Sequence, residues 1–253
     1  MAAHALSLRA IAGLPMFVPG DDLAEILGAA MDGAPPLDGD VLVVAQKIVS
    51  KAEGRIVDIA GVTASARAVA LAAEVGKDPR VVEVILGEAV RVVRARPNLL
   101  IVEHKRGWVM ANAGIDQSNV DHGRGGRLLL LPEDPDASAE RLRVALSARF
   151  GVRLGVVIND SFGRAWRRGT VGIAIGVAGL PGLVDLRGQP DLFGRILEVS
   201  IIGFADEIAA AASLLMGQAS EGQPAVLVSG LAWRAPEGTG ADLVRPASED
   251  LFR

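Results

Sequence analysis

Residues 90–111 read VRVVRARPNLLIVEHKRGWVMA, and this stretch decides the fold class. It holds three short strand-like runs, at about 90–95, 99–103 and 107–111, parted by Gly, Pro and Asn. Connections this short leave no room for the crossover helix that parallel neighbours need, so the runs pair antiparallel, with a fourth at about 127–131. Working outward, the runs Asp40–Ala45 and Leu154–Ile158 are apolar without alternation, as expected of central strands covered on both faces. Helical periods fall at about 22–31, 63–75, 79–88, 137–150 and 205–216, with Asp21 or Asp22, Thr63 and Asp78-Pro79 as start signals. Further strands are expected at 5–12, 198–204 and 225–229. The sum is an α+β protein of mixed, largely antiparallel sheets with flanking helices. No fixed-period repeat and no low-complexity linker divides the chain, so it reads as one interwoven unit over 1–253, with a core at about 8–231 and a loose tail at 234–253.

With 253 residues and 50% hydrophobic side chains, the chain can bury ~70% of its unfolded surface and needs no covalent staples. It contains no cysteine, which excludes disulfides, thiolate metal sites and cysteine nucleophiles. The three histidines, His4, His104 and His122, lack metal-ligand spacing, so any metal is a hard cation on oxygen. A net charge of −4 argues against nucleic acid or an anionic membrane as partner. No apolar run reaches a membrane span, and the first residues lack the features of a secretion signal, so the expected location is the cytoplasm.

Four polar clusters each follow an apolar strand: Gln46–Lys51, Asn112–Asn119, Asn159–Arg168 and Ala205–Glu207. Strand ends are where α/β scaffolds place their sites. Asp116, Asp160, Ser161 and Glu207 offer hard oxygen ligands, while Lys47, Lys51, Arg164, Arg167 and Arg168 offer charge for phosphate. That set suits phosphoryl transfer assisted by a divalent metal. Taken singly, each has a plainer reading: Asp160 and Asp116 as turn residues, Glu207 as a partner of the helix dipole, the arginines as a solvated face. Neither GxxxxGK[ST] nor a strand-to-helix GxGxxG occurs, and Gly123–Gly126 reads as a flexible loop. His122 reads as a surface residue, and Trp108, Trp166 and Trp233 as packing groups.

Six collinear strings carry a resemblance: Gly13-Leu14-Pro15 with Pro19-Gly20-Asp21-Asp22-Leu23, Val49–Arg55, Ala113–Val120, Leu131–Asp136, Asp160–Arg167 and Ala205–Ile208. Together they resemble the coenzyme F-420:L-glutamate ligases, the gamma-glutamyl ligases of the deazaflavin pathway, from about residue 8 to 231. The resemblance implies a GTP-dependent enzyme that adds L-glutamate, and then further gamma-linked glutamates, to the deazaflavin precursor F-420-0 through an acyl phosphate. It implies two divalent cations, Mg2+ or Mn2+, one on Asp116 and Asp160 and the other on Ser161 and Glu207. It also implies nucleotide contacts at Leu14, Pro15, Gln46, Lys51 and Asn119, and an intertwined homodimer. Gln46 stands where a small hydroxyl residue is expected, and Ser161 where threonine is frequent. Arg164 and Arg167 are added as catalytic anion binders on charge alone. The competing expectations are a related amide ligase for another carboxylate metabolite and a nucleotide-binding protein without turnover.

Overall fold

The computed structural model describes residues 5–116 and 126–251. In chain order the elements are β1 (Ser7–Ala10), α1 (Leu23–Met31), β2 (Val41–Ala45), α2 (Gln46–Ala52), β3 (Ile56–Asp58), α3 (Ala66–Val75), α4 (Pro79–Glu88), β4 (Ala89–Arg96), β5 (Leu99–His104), β6 (Val109–Ala111) and β7 (Arg127–Leu129). There follow α5 (Pro135–Phe150), β8 (Gly155–Gly163), β9 (Thr170–Ala178), β10 (Val184–Asp185), β11 (Ile201–Ile202), α6 (Phe204–Met216) and β12 (Ala225–Ser229). The fold is α+β with mostly antiparallel sheets.

A five-stranded sheet, in the order β1-β12-β2-β8-β9, forms the centre; only β2 and β8 run parallel. Val41–Val44 and Val156–Ile158 are fully buried because apolar layers cover both faces of these strands. On one face Leu27, Met31, Leu142 and Leu146 from α1 and α5 meet Leu42, Val44, Val156 and Ile158. On the other, Ala205, Ile208, Ala209 and Ala212 of α6 meet Val43, Val157 and Val226. The alternation within each strand thus sorts side chains to two separate cores. The helix starts follow local chemistry: Asp22, Ser65, Asp78 and Asp134 each accept a backbone N–H of the first turn, and Pro79 and Pro135 follow two of these caps.

The antiparallel runs form a separate sheet, β4-β5-β6, covered by α3 and α4 through Ala68, Ala72, Val82, Ile85, Leu100 and Val102. The fourth run does not join this sheet: β7 pairs antiparallel with β3 in a two-stranded sheet whose Leu128 packs with Val81 and Val84 of α4. Several expectations are corrected. The polar cluster Gln46–Lys51 lies on a helix that starts at Gln46, β8 runs past Ile158 to Gly163, and Thr170–Ala178, where no strand was expected, is strand β9. The strand expected over 198–204 shrinks to Ile201–Ile202 because the helix claims Phe204 onward. The tail is not loose at its middle: a short turn at Gly240–Leu243 is tied by its backbone N–H groups to Asp136. Gly123–Gly125 and His122 lie outside the described residues. Among the described residues, no helix is long and apolar enough to cross a membrane.

Candidate functional site

The parallel pairing of β2 with β8 sets Ala45 beside Asn159. Gln46, which opens α2, and Asp160, which continues β8 beside β9, therefore lie at the same end of the β2–β8 pair, where parallel strands open their sites. A register shift in β8 between Ile158 and Asn159 breaks the alternation against β9 at that point. One turn of α2 further on, Ser50 Oγ donates to Gln46 Oε1 at 2.9 Å, and the Gln46 side chain in turn hydrogen-bonds Asp160. Both Gln46 and Ser50 are buried, so this amide is held in place.

A cavity of about 470 Å³ opens here. Its walls are Leu14–Phe17 from the loop after β1, Ala45–Ile48 and Lys51 from the start of α2, Asn159–Ser161 from β8, and Met216–Pro224 after α6. Its lining mixes apolar side chains, Leu14, Pro15, Phe17 and Ile48, with polar ones, Gln46, Lys47, Lys51, Asp160 and Ser161. Lys47 and Lys51 stand one helical turn apart, so both reach the same wall. Ser161 Oγ donates to Gln218 Oε1 at 2.7 Å.

Asp116 arrives from the antiparallel unit. Its backbone exchanges two hydrogen bonds with Leu129, at 3.0 and 2.9 Å. The turn before it runs through three left-handed residues, Asn112 (φ 52°), Ala113 (φ 56°) and Gly114 (φ 70°). A Cβ at Gly114 would stand 2.7 Å from Leu131 Cδ1 and Met110 Cε on a left-handed backbone, so a larger residue there would be strained and would push these side chains aside. The result places Asp116 Oδ2 2.6 Å from Lys47 Nζ, close enough to Asp160 for the two carboxyls to influence each other. Burial pushes the Asp160 carboxyl up to about 7; the Ser161 N–H, Lys47 and Gln46 act against that, and Asp116 adds to it. Burial, and then the Lys47 charge, hold the Lys51 ammonium below its usual range.

Of the residues singled out in the sequence, the cavity gathers Leu14, Pro15, Gln46, Lys51, Asp160 and Ser161, with Asp116 joined to it through Lys47. Asn119 lies outside the described residues. Glu207 is not brought in: it is exposed on the first turn of α6 and does not line the cavity. Arg164 and Arg167 sit in the connection from β8 to β9, also outside the lining; Arg164 Nη2 donates to Arg168 O at 3.4 Å. The residues that sequence reasoning missed are those of 217–224. Their signal was present, since the run GQASEGQP is a polar loop leading into a core strand.

The oxygen donors Asp116, Asp160, Ser161 and Gln218 suit a hard divalent cation, and a carboxyl as crowded as Asp160 is ionised only beside positive charge. Among the described residues no group of three or more His, Cys, Asp or Glu side chains is placed to hold a metal ion.

The family model described as F420-0:Gamma-glutamyl ligase matches residues 13–230. A protein named coenzyme F420:L-glutamate ligase from Methanothermobacter thermautotrophicus is 45% identical over 98% of this chain and 99% of its own length. Proteins of the same name from Methanopyrus kandleri and Archaeoglobus fulgidus are 47% and 46% identical, over 93% and 96% of this chain and 92% and 94% of theirs.

Proposed function

Since the chain belongs to the F420-0:gamma-glutamyl ligase family, we propose that it joins L-glutamate to the deazaflavin precursor F-420-0 at the expense of GTP, and extends the product through further gamma-linked glutamates. The observation that supports this most is the gathering, in one cavity, of two ammonium groups, the carboxyl of Asp160 and an apolar wall, from four separated parts of the chain.

In this reading Leu14, Pro15 and Phe17 cover the nucleotide base, while Lys47 and Lys51 face its phosphates. Asp116, Asp160 and Ser161, with the Gln218 amide oxygen, would hold Mg2+ or Mn2+, which supplies charge neutralisation for phosphoryl transfer when bound. Gln46 and the Ser161 N–H keep the Asp160 carboxylate aimed at the cavity. A carboxylate of the acceptor attacks the terminal phosphorus of GTP, and GDP leaves. The glutamate amine then attacks the acyl carbon, phosphate leaves, and the amine gives up a proton. The enclosing walls limit water, which would otherwise hydrolyse the acyl phosphate.

The acting form proposed is a homodimer in the cytoplasm. Leu192 and Phe193, between β10 and β11, are 99% and 97% exposed, and Trp166 at the tip of the β8–β9 connection is 87% exposed. Apolar projections of this kind ask for a partner surface.

The test is direct. Purified protein is incubated with F-420-0, L-glutamate, GTP and Mg2+ or Mn2+, and the products are weighed by mass spectrometry. A ladder of glutamylated products with matching GDP, lost when any one component is omitted, is expected. Absence of glutamylated product, or its formation without GTP, refutes the reading.

A further inference from the structure

The helices α3 and α4 cover one face of the sheet β4-β5-β6. Val92, Ala95, Leu100 and Val102 pack beneath them, and the alternation of the strands turns the neighbouring side chains the other way. Cross-strand partners share a face, so the register lays the second face out in rows. Arg96 stands opposite Leu99; Arg94 is opposite Ile101, which is opposite Ala111; and Arg91 is opposite Glu103, which is opposite Val109. Leu99, Val109 and Ala111 are exposed there, and so are the three arginines. The result is a short apolar strip edged by guanidinium groups.

The charge along that edge is uneven. Arg91 Nε donates to Glu103 Oε2 at 2.6 Å and is neutralised by it. Arg94 and Arg96 make no ion pair among the described residues. The uncompensated charge therefore lies at the end of the sheet where β6 stops at Ala111 and the chain turns toward Asp116. Two strand spacings of ~4.8 Å separate Arg94 from Ala111, and the stretch from Ala111 to Asp116 adds no more than ~3.5 Å per residue, so the path is at most ~27 Å. At its far end Asp116 meets Lys47 in the cavity wall.

A growing γ-glutamyl product carries the matching anions. Each γ-linked glutamate leaves one α-carboxylate on the tail, and five main-chain bonds per unit, against three in an ordinary residue, give a repeat of ~6 Å. Arg94 and Arg96, alternate residues of one strand, are ~6.6 Å apart. The reacting γ-carboxyl is always at the newest end, so every addition moves the older glutamates one repeat out of the cavity.

We propose that this face of β4-β5-β6 is a track for the product's oligo-γ-glutamate tail: Arg94 and Arg96 hold successive α-carboxylates, and Leu99 and Ile101 lie under the methylenes between them. The proposal rests on the ligase reading of the cavity. Charge complementarity selects the occupant, since carboxylates at one repeat joined by aliphatic links fit an apolar strip edged by arginines. About four repeats span the path, so the arginines act on long tails.

The experiment is isothermal titration of the full chain with F-420 products carrying two and six γ-linked glutamates, for wild type, Arg94→Gln/Arg96→Gln and Arg94→Lys/Arg96→Lys. Wild type is expected to bind the longer tail about fivefold more tightly than the shorter, a gain that the glutamine pair loses and the lysine pair largely keeps. A wild type that ligates glutamate yet shows no gain with tail length, or a gain that survives in the glutamine pair, overturns the track and leaves the ligase reading standing. A wild type that forms no glutamylated product fails that reading, and the track falls with it. A sedimentation coefficient lowered in the glutamine pair assigns the face to contact between copies of the chain, which also overturns the track. Both substitutions are at exposed side chains, and melting curves check the fold; should the pair melt early, Arg96→Gln alone is read by the same criteria.

Discussion

Replacing Asp160 with asparagine should stabilise the metal-free protein at alkaline pH while abolishing ligation. The unfolded carboxyl ionises at its ordinary 3.8, but the folded one only near 7. Between those values the native state holds a proton that the unfolded state has lost, so stability falls as pH rises from about 4 to above 7. The full interval corresponds to about 4 kcal/mol. Because the carboxyl borders the cavity and water reaches it, about 2 kcal/mol is the expected realised cost. Asparagine removes this cost. The Ser161 N–H, 2.8 Å from Asp160 Oδ1, keeps an acceptor, and Gln46 can turn its amide over so that its oxygen meets the new NH2 group. Ser50 then accepts from Gln46 instead of donating to it. The measurement is urea unfolding of wild type and Asp160→Asn in EDTA at pH 5 and pH 8.5. The variant should gain about 2 kcal/mol on wild type at pH 8.5 and less than half of that at pH 5, and added Mn2+ should stabilise wild type alone. An equal difference at both pH values, or a variant less stable than wild type at pH 8.5, would refute the assignment of a crowded carboxyl whose ionisation opposes folding.

Other consequences follow from neighbouring geometry. His104 is buried, stacks on Trp108 with ring centroids 5.2 Å apart, and is pushed down to about 4 by burial, so its neutral form stabilises the fold above 6.5 and about 3 kcal/mol is lost as pH falls through 4. His104→Asn, which can still accept from the Arg106 N–H, should flatten the acid limb of the unfolding free energy; an unchanged slope between pH 6.5 and 4 would count against this. Gly172→Ala should lower the melting temperature by roughly 5–10 °C, since the new Cβ would stand 2.1 Å from Ser213 Oγ and 2.7 Å from the Ala209 carbonyl oxygen on α6; a neutral result would mean that α6 is free to shift. Gln218→Leu should lower affinity for the nucleotide complex about tenfold with little change in melting temperature, because Gln218 is exposed at the cavity rim and its amide meets Ser161; titration calorimetry reads both affinity and stoichiometry.

Much of the architecture could be read before any coordinates. The apolar runs at 41–45 and 154–158 announced central strands, and the helix caps at Asp22 and Asp78 are local chemistry written in adjacent residues, whereas α3 is capped by Ser65 and not by the expected Thr63. The site was legible in part. Asp160 and Gln46 could be suspected because each follows a buried strand, but that they touch depends on β2 and β8 lying side by side, more than a hundred residues apart in the chain. Glu207 shows the limit of such reading: a carboxylate at a helix start looks the same whether the helix points it into a cavity or into solvent, and here it is exposed. The loop 217–224 was overlooked for the converse reason. Its residues carry little charge of their own kind to attract notice, and Gln218 gains meaning only from the hydroxyl of Ser161 beside it.

By itself the amino-acid order settled the fold class, most of the helices and the family, because patterning, capping and collinear strings are properties of neighbours along the chain, whereas α2 went unread. Only the folded chain decided which charges meet. Lys47 on Asp116, Gln46 on Asp160 and Ser161 on Gln218 are pairings across 57 to 114 residues where sheet register brings strand ends together, and electrostatic energy depends on distance in space, to which sequence separation is nearly blind.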